Sequence, residues 1–177
     1  MNTLYDIPIS PDALALLRVS RDLIENNQPE KALALVIDCS TRDSTPMRNA
    51  RGVCLLRMGR YEEAFTLFRD LYYPNNAFAV PRDLPTEVRV NYVSSLLLLG
   101  NVQIAASLLY NIPERDHHAV RRLCAAIRSW KRSLPWWGRV LLPIGFYPES
   151  APNLGRYVGR LWLPPTQRSQ RPGKIAT

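Results

Sequence analysis

Residues 52–76 read GVCLLRMGRYEEAFTLFRDLYYPNN, and their spacing decides the fold. Gly52, Leu55, Gly59, Tyr61, Ala64 and Phe68 stand at intervals of 3, 4, 2, 3 and 4. These intervals describe two short helices joined by a tight turn at Gly59, because residues three and four apart share a helix face. The small Gly52 and Ala64 let the paired helices approach, and Tyr61 and Phe68 fill the space around them. A glycine just past a helix end accepts the left-handed backbone that closes the helix.

The pattern recurs on both sides. Downstream, NYVSSLLLLGNVQIAASLLYNIP (91–113) places Gly100 for Gly59, Ala105 for Ala64 and Leu109 for Phe68. Upstream, LLRVSRDLIENNQPEKALALVIDCS supplies Ala32 and Val36, with Asn27 at the turn, where asparagine substitutes for glycine. Ser10-Pro11 and Thr45-Pro46 each set a capping hydroxyl before a first-turn proline, and Asn27 and Asn101 stand where they can cap second helices. The spacing predicts helices over 11–26, 29–39, 46–58, 61–73, 86–99 and 102–111, with a Pro-punctuated loop from Asn75 to Leu84. A seventh helix is expected from about Glu114 to Ser133, its apolar stripe made by Val120, Leu123, Cys124, Ile127, Trp130 and Leu134.

This set of residues resembles the tetratricopeptide repeat family. The central copy carries Gly52, Leu55, Gly59, Tyr61, Ala64 and Phe68 in family register, with Pro74 ending its second helix early. The third copy departs at Val93 and Val102, and the first lacks the turn glycine. The resemblance implies an all-α fold of three antiparallel helix-turn-helix repeats in a short right-handed solenoid, with a C-terminal capping helix and an irregular tail. Residues 11–134 then form the repeat domain, 135–164 a Trp/Pro-rich extension and 165–177 a disordered basic tail.

The resemblance also implies a concave groove lined by the first helix of each pair. By register its candidates are Leu17, Arg21 and Ile24, then Asn49, Val53 and Leu56, then Val90, Ser94 and Leu97. The lysine and asparagine set with which the family clamps a C-terminal carboxylate is not reproduced, and a mostly apolar groove suits an extended peptide or a helix. The chain's own termini are alternative occupants, and Leu56 and Leu97 can equally be core.

Composition limits the other possibilities. With 46% apolar and 21% charged residues among 177, the chain is neither disordered nor collagen-like. The longest apolar stretch, Leu134 to Tyr147, is broken by prolines, glycines and Arg139, too short and interrupted for a bilayer span. The start, MNTLYDIPISPD, lacks the basic and apolar regions of a signal peptide, so a cytoplasmic location is expected. Three widely spaced cysteines (Cys39, Cys54, Cys124) read as buried thiols, and the adjacent His117 and His118 make a poor metal site. No nucleophile elbow, zinc-protease helix, phosphate loop or dinucleotide fingerprint occurs, so no enzyme, cofactor or small-molecule substrate is expected.

Charge divides the chain. Residues 1–114 carry 11 Lys+Arg against 13 Asp+Glu, and residues 115–177 carry 12 against 2. The leading expectation is a protein-binding scaffold or adaptor. The alternative is peripheral attachment to an anionic membrane through Arg121, Arg122, Arg128, Lys131, Arg132, Trp136, Trp137 and Arg139; nucleic acid is the weaker choice of anion. The aromatics at 130, 136, 137, 146 and 147 are expected to dock together on the last helices, since buried tryptophan is worth about 2–3 kcal/mol.

Overall fold

A computed structural model describes residues 10–39, 43–74, 80–81, 83–142, 152–155 and 159–164. Among them every regular element is helical: α1 Pro11–Glu25, α2 Pro29–Ile37, α3 Thr45–Arg57, α4 Tyr61–Tyr72, α5 Thr86–Leu98, α6 Val102–Tyr110, α7 His118–Ser133 and α8 Trp136–Leu141. The expected disordered tail, Phe146 and Tyr147 lie outside the described residues.

Three turns share one construction. Asn27, Gly59 and Gly100 have φ of 58°, 77° and 79°, the left-handed region. After each, an amide donates back across the turn: Gln28 to the Leu23 carbonyl, Arg60 to Leu55 and Asn101 to Leu96, all at 2.9 Å. The preceding amides of Asn27, Gly59 and Gly100 donate to Ile24, Leu56 and Leu97 at 3.1, 3.2 and 3.1 Å. This double bond satisfies carbonyls that a helix end leaves open. Asn27 therefore serves as the left-handed residue, and Gln28, not Asn27, precedes α2 as its N-cap. Asn101 does precede α6, without a side-chain capping bond.

Other helix starts follow the same chemistry with one change. Ser10 Oγ accepts the Ala13 amide at 3.2 Å ahead of Pro11. At α3 the N-cap is Ser44, so Thr45 is already inside the first turn. Helix α7 begins at His118, four residues later than Glu114, because residues 113–117 turn on themselves: Arg115 N–H meets the Pro113 carbonyl at 2.8 Å and His117 N–H meets Glu114 at 3.1 Å.

Packing runs from each helix to the next, α1 on α2 through α5 on α6, and the alternate helices α1, α3, α5 and α7 also touch in succession. Ala32, Ala64 and Ala105 are wholly buried, as are Val36 and Phe68, with Leu109 nearly so. At the centre, a Cβ on Gly52 would stand only 2.5 Å from Phe68 Cζ, so the Phe68 ring lies directly against the glycine backbone. The α7 stripe, Val120, Leu123, Ile127, Trp130 and Leu134, is buried, with Cys124 half-buried beside it. It covers α5 and α6. Between α4 and α5, the buried Arg89 spans the loop by donating to the carbonyls of Leu84 (2.9 Å) and Pro81 (3.1 Å).

Pro135 ends α7 as expected, and Leu134 before it is extended at ψ 143°. A further helix then restarts at once, because Arg139 anchors it by donating to the Leu134 and Arg132 carbonyls.

Candidate functional site

The chain returns across its own helices. Residues 159–164 form a run without regular secondary structure, and Gly159 is buried against α3: a Cβ there would sit 3.2 Å from both Leu56 Cδ1 and Val53 Cγ1. Leu161 is buried, whereas the Arg160 side chain between them is exposed. One α5 side chain holds this run by its main chain. Asn91 Nδ2 donates to the Arg160 carbonyl at 2.7 Å, and the Arg160 N–H donates to Asn91 Oδ1 at 2.8 Å. Asn91 Nδ2 also donates to Asn49 Oδ1 of α3 at 2.8 Å, so a single amide ties together α3, α5 and a segment 69 residues downstream. Asn49 must turn its oxygen toward Asn91, which leaves its own Nδ2 buried with no partner.

Beside this run lies a cavity of about 1020 Å³, at the large end for a ligand pocket. Helix α1 contributes Ile24 and Glu25 to its wall, α3 Arg57, α5 Val90, Asn91 and Ser94, and α7 His118 and Arg122; Gly159 and Arg160 close one side. Arg57, Arg122 and Arg160 therefore stand against Glu25. Burial pushes the Arg57 guanidinium below its ordinary pKa, opposed by Glu25, and its Nε has no hydrogen-bond partner. Desolvation, then the charges of Arg160, His117 and Arg122, hold the His118 imidazole below the usual histidine range, with Glu87 acting in the opposite direction. The wall is electropositive.

No family model, curated protein or solved structure matches the chain.

The sequence-derived groove residues divide by helix face. Ile24, Val90 and Ser94 line the cavity, and Val53 and Leu56 form the floor under Gly159. Asn49 stands behind Asn91. Leu17 and Leu97 are completely buried core, with no place in the cavity wall. Arg21 is exposed and pairs with Asp22 and Glu25 at 3.7 and 4.0 Å. Asn91 itself was missed. The 41-residue interval from Gly59 to Gly100 carries Asn49 onto Val90, one place short of Asn91, and one place on a helix is about 100°. Nothing local in the sequence marks Gly159 or Leu161, whose role depends on a chain reversal.

The basic candidates also separate. Arg122 lines the cavity, and Arg121 and Arg128 are exposed elsewhere on α7. Lys131, Arg132 and Arg139 meet at the α7–α8 corner, around a smaller hollow of about 330 Å³. Trp136 and Trp137 correct the docking expectation. They are 77% and 51% exposed, with Val140 at 63%, while only Trp130 of α7 is buried. The restart at Pro135 rotates α8 so that these aromatics leave the helices instead of covering them. Cys39 and Cys124 are half-buried and only Cys54 is enclosed, so the expectation of three buried thiols holds for one. His117 Nε2 lies 3.5 Å from Glu87.

Among the described residues no helix is long and apolar enough to cross a membrane, and no group of His, Cys, Asp and Glu could hold a metal ion.

Proposed function

We propose that this protein is a non-enzymatic adaptor. On this reading its paired helices form a short tetratricopeptide-like solenoid whose concave face holds an extended peptide. The three matching turns at Asn27, Gly59 and Gly100 support the repeat, as do the buried alanines at 32, 64 and 105. The observation that carries the binding role is the Asn91 amide, which engages both the N–H and the carbonyl of Arg160. Main-chain capture of this kind recognises any extended segment, and the close Val53–Leu56 floor then favours glycine at the residue that crosses it. The test is selection of peptides from a displayed library on the full chain. Peptides that bind the parent protein and lose binding to Asn91→Ala support the reading; selections indifferent to Asn91, or empty ones, count against it.

A second reading is favoured by the exposed Trp136, Trp137 and Val140 beside Lys131, Arg132 and Arg139. Tryptophan settles at the headgroup boundary, and each nearby basic residue adds about 1 kcal/mol on an anionic surface. Peripheral membrane attachment through α8 predicts salt-sensitive sedimentation with phosphatidylserine vesicles that Trp136→Ser/Trp137→Ser abolishes. Retention on heparin with no vesicle binding would point instead to nucleic acid.

A further inference from the structure

The segment held by Asn91 indicates what a peptide in its place should contain. Gly159 is required by the floor, since a Cβ would press into Leu56 and Val53 and its φ is +75°. Leu161, two residues on, is also buried. Arg160, between them, is mismatched: it shares the cavity wall with Arg57 and Arg122, and Glu25 is the single acid among the wall residues. The wall also holds a donor with no acceptor, Arg57 Nε. Donors without acceptors call for a ligand that brings acceptors.

We propose that residues 159–162 are a weak intramolecular stand-in occupying the peptide site, and that the true ligand is an extended segment of the pattern glycine–acidic residue–aliphatic residue, which displaces it. This rests on the groove reading above. The carboxylate occupies the position of Arg160, replaces a like charge with an opposite one beside Arg57 and Arg122, and offers Arg57 Nε the acceptor it lacks. Glycine reuses the floor under Gly159, the aliphatic residue takes the buried place of Leu161, and Asn91 makes the same two main-chain bonds. The site is thus closed by default and opens to a ligand of better charge.

Two fluorescein-labelled peptides test this, one spanning residues 153–164 and the other the same span with Arg160→Glu. Their affinities are measured by anisotropy for the full chain and for the full chain carrying Leu161→Asp, which undocks the stand-in. The acidic peptide should bind the parent about tenfold more tightly than the native-sequence peptide, a gap of about 1.4 kcal/mol. That gap should shrink in Arg57→Gln and in high salt. Both peptides should bind Leu161→Asp more tightly than the parent, with circular dichroism verifying that each variant is folded. Hydrogen exchange at the Arg160 amide, slow in the parent and fast in Leu161→Asp, reports docking directly. Equal affinities for the two peptides, or no gain in Leu161→Asp, would overturn the proposal and leave the groove reading standing if library peptides still depend on Asn91. Failure of either peptide to bind any form also overturns it, and the library selection then decides the groove separately.

Discussion

Gly52 and Phe68 show how one missing side chain sets the distance between α3 and α4. Alanine is normally favoured over glycine inside a helix by about 1 kcal/mol. Here its Cβ would lie 2.5–2.9 Å from three atoms of the Phe68 ring, so Gly52→Ala should instead destabilise by about 1–3 kcal/mol. In a Phe68→Leu background the ring is gone, and the same change should become neutral or favourable. A urea-denaturation double-mutant cycle measures this coupling, and additive effects would show that the ring and the glycine do not meet. Gly59 is different, because nothing lies within 4 Å of a Cβ there. Its constraint is the backbone alone, and a β-branched residue at φ 77° should cost at least about 1 kcal/mol. Burial, aided by Glu30 and opposed by a backbone hydrogen bond, pushes the Cys54 thiol from 9.0 up to about 12. At pH 8 iodoacetamide should therefore modify the half-buried Cys39 and Cys124 and spare Cys54 until the protein unfolds. Since the folded state keeps a proton that the unfolded chain releases, the Cys54 contribution is intact below pH 9.0 and is lost as pH rises toward 12. Tyr92, raised by burial from 10.0 to about 12, acts in the same direction.

At the scale of elements, α7 and α8 divide the tryptophans by function. Helix α7 turns one stripe inward, so Trp130 fills a space on α5 and α6, and its truncation to alanine should cost about 3–5 kcal/mol. Trp136 and Trp137 begin α8 after Pro135 breaks the helix axis, and their exposure predicts that Trp136→Ala and Trp137→Ala each shift stability by no more than about 0.5 kcal/mol. Thermal unfolding of the three variants separates the roles. A large loss at Trp136 would mean that α8 packs its aromatics after all. The helices were legible one by one because each carries its apolar face at helical spacing and each turn its left-handed residue. Helix α8 was not, since six residues between Pro135 and Leu142 hold too few turns to show a period.

At the scale of the molecule, Asn91 is the point where distant parts of the chain converge. It joins Asn49, 42 residues earlier, to Arg160, 69 residues later. Replacing it with alanine removes three hydrogen bonds and strands the buried Asn49 amide, for an expected loss of about 1–3 kcal/mol. The Arg160 amide should then exchange with solvent much faster, while amides in α2 and α4 keep their protection. Hydrogen-exchange mass spectrometry reads both. An unchanged rate at Arg160 would mean that the segment is held by Gly159 and Leu161 alone. The charge division has a consequence at this scale too, because the reversal brings Arg160 of the basic third against the helices of the near-neutral body.

What the sequence determined by itself is local. The helices, their three left-handed turns, the buried alanines and the end of α7 at Pro135 each depend on residues within a few positions of one another, whose spacing can be read directly. Only the tertiary structure decided that Asn91 faces the return of the chain, that Arg57, Arg122 and Arg160 share one cavity wall, and that the Trp136–Trp137 pair stays in solvent. Those outcomes follow from where the chain reverses and how helix axes cross. Both are set by packing between residues tens of positions apart, which no local period records.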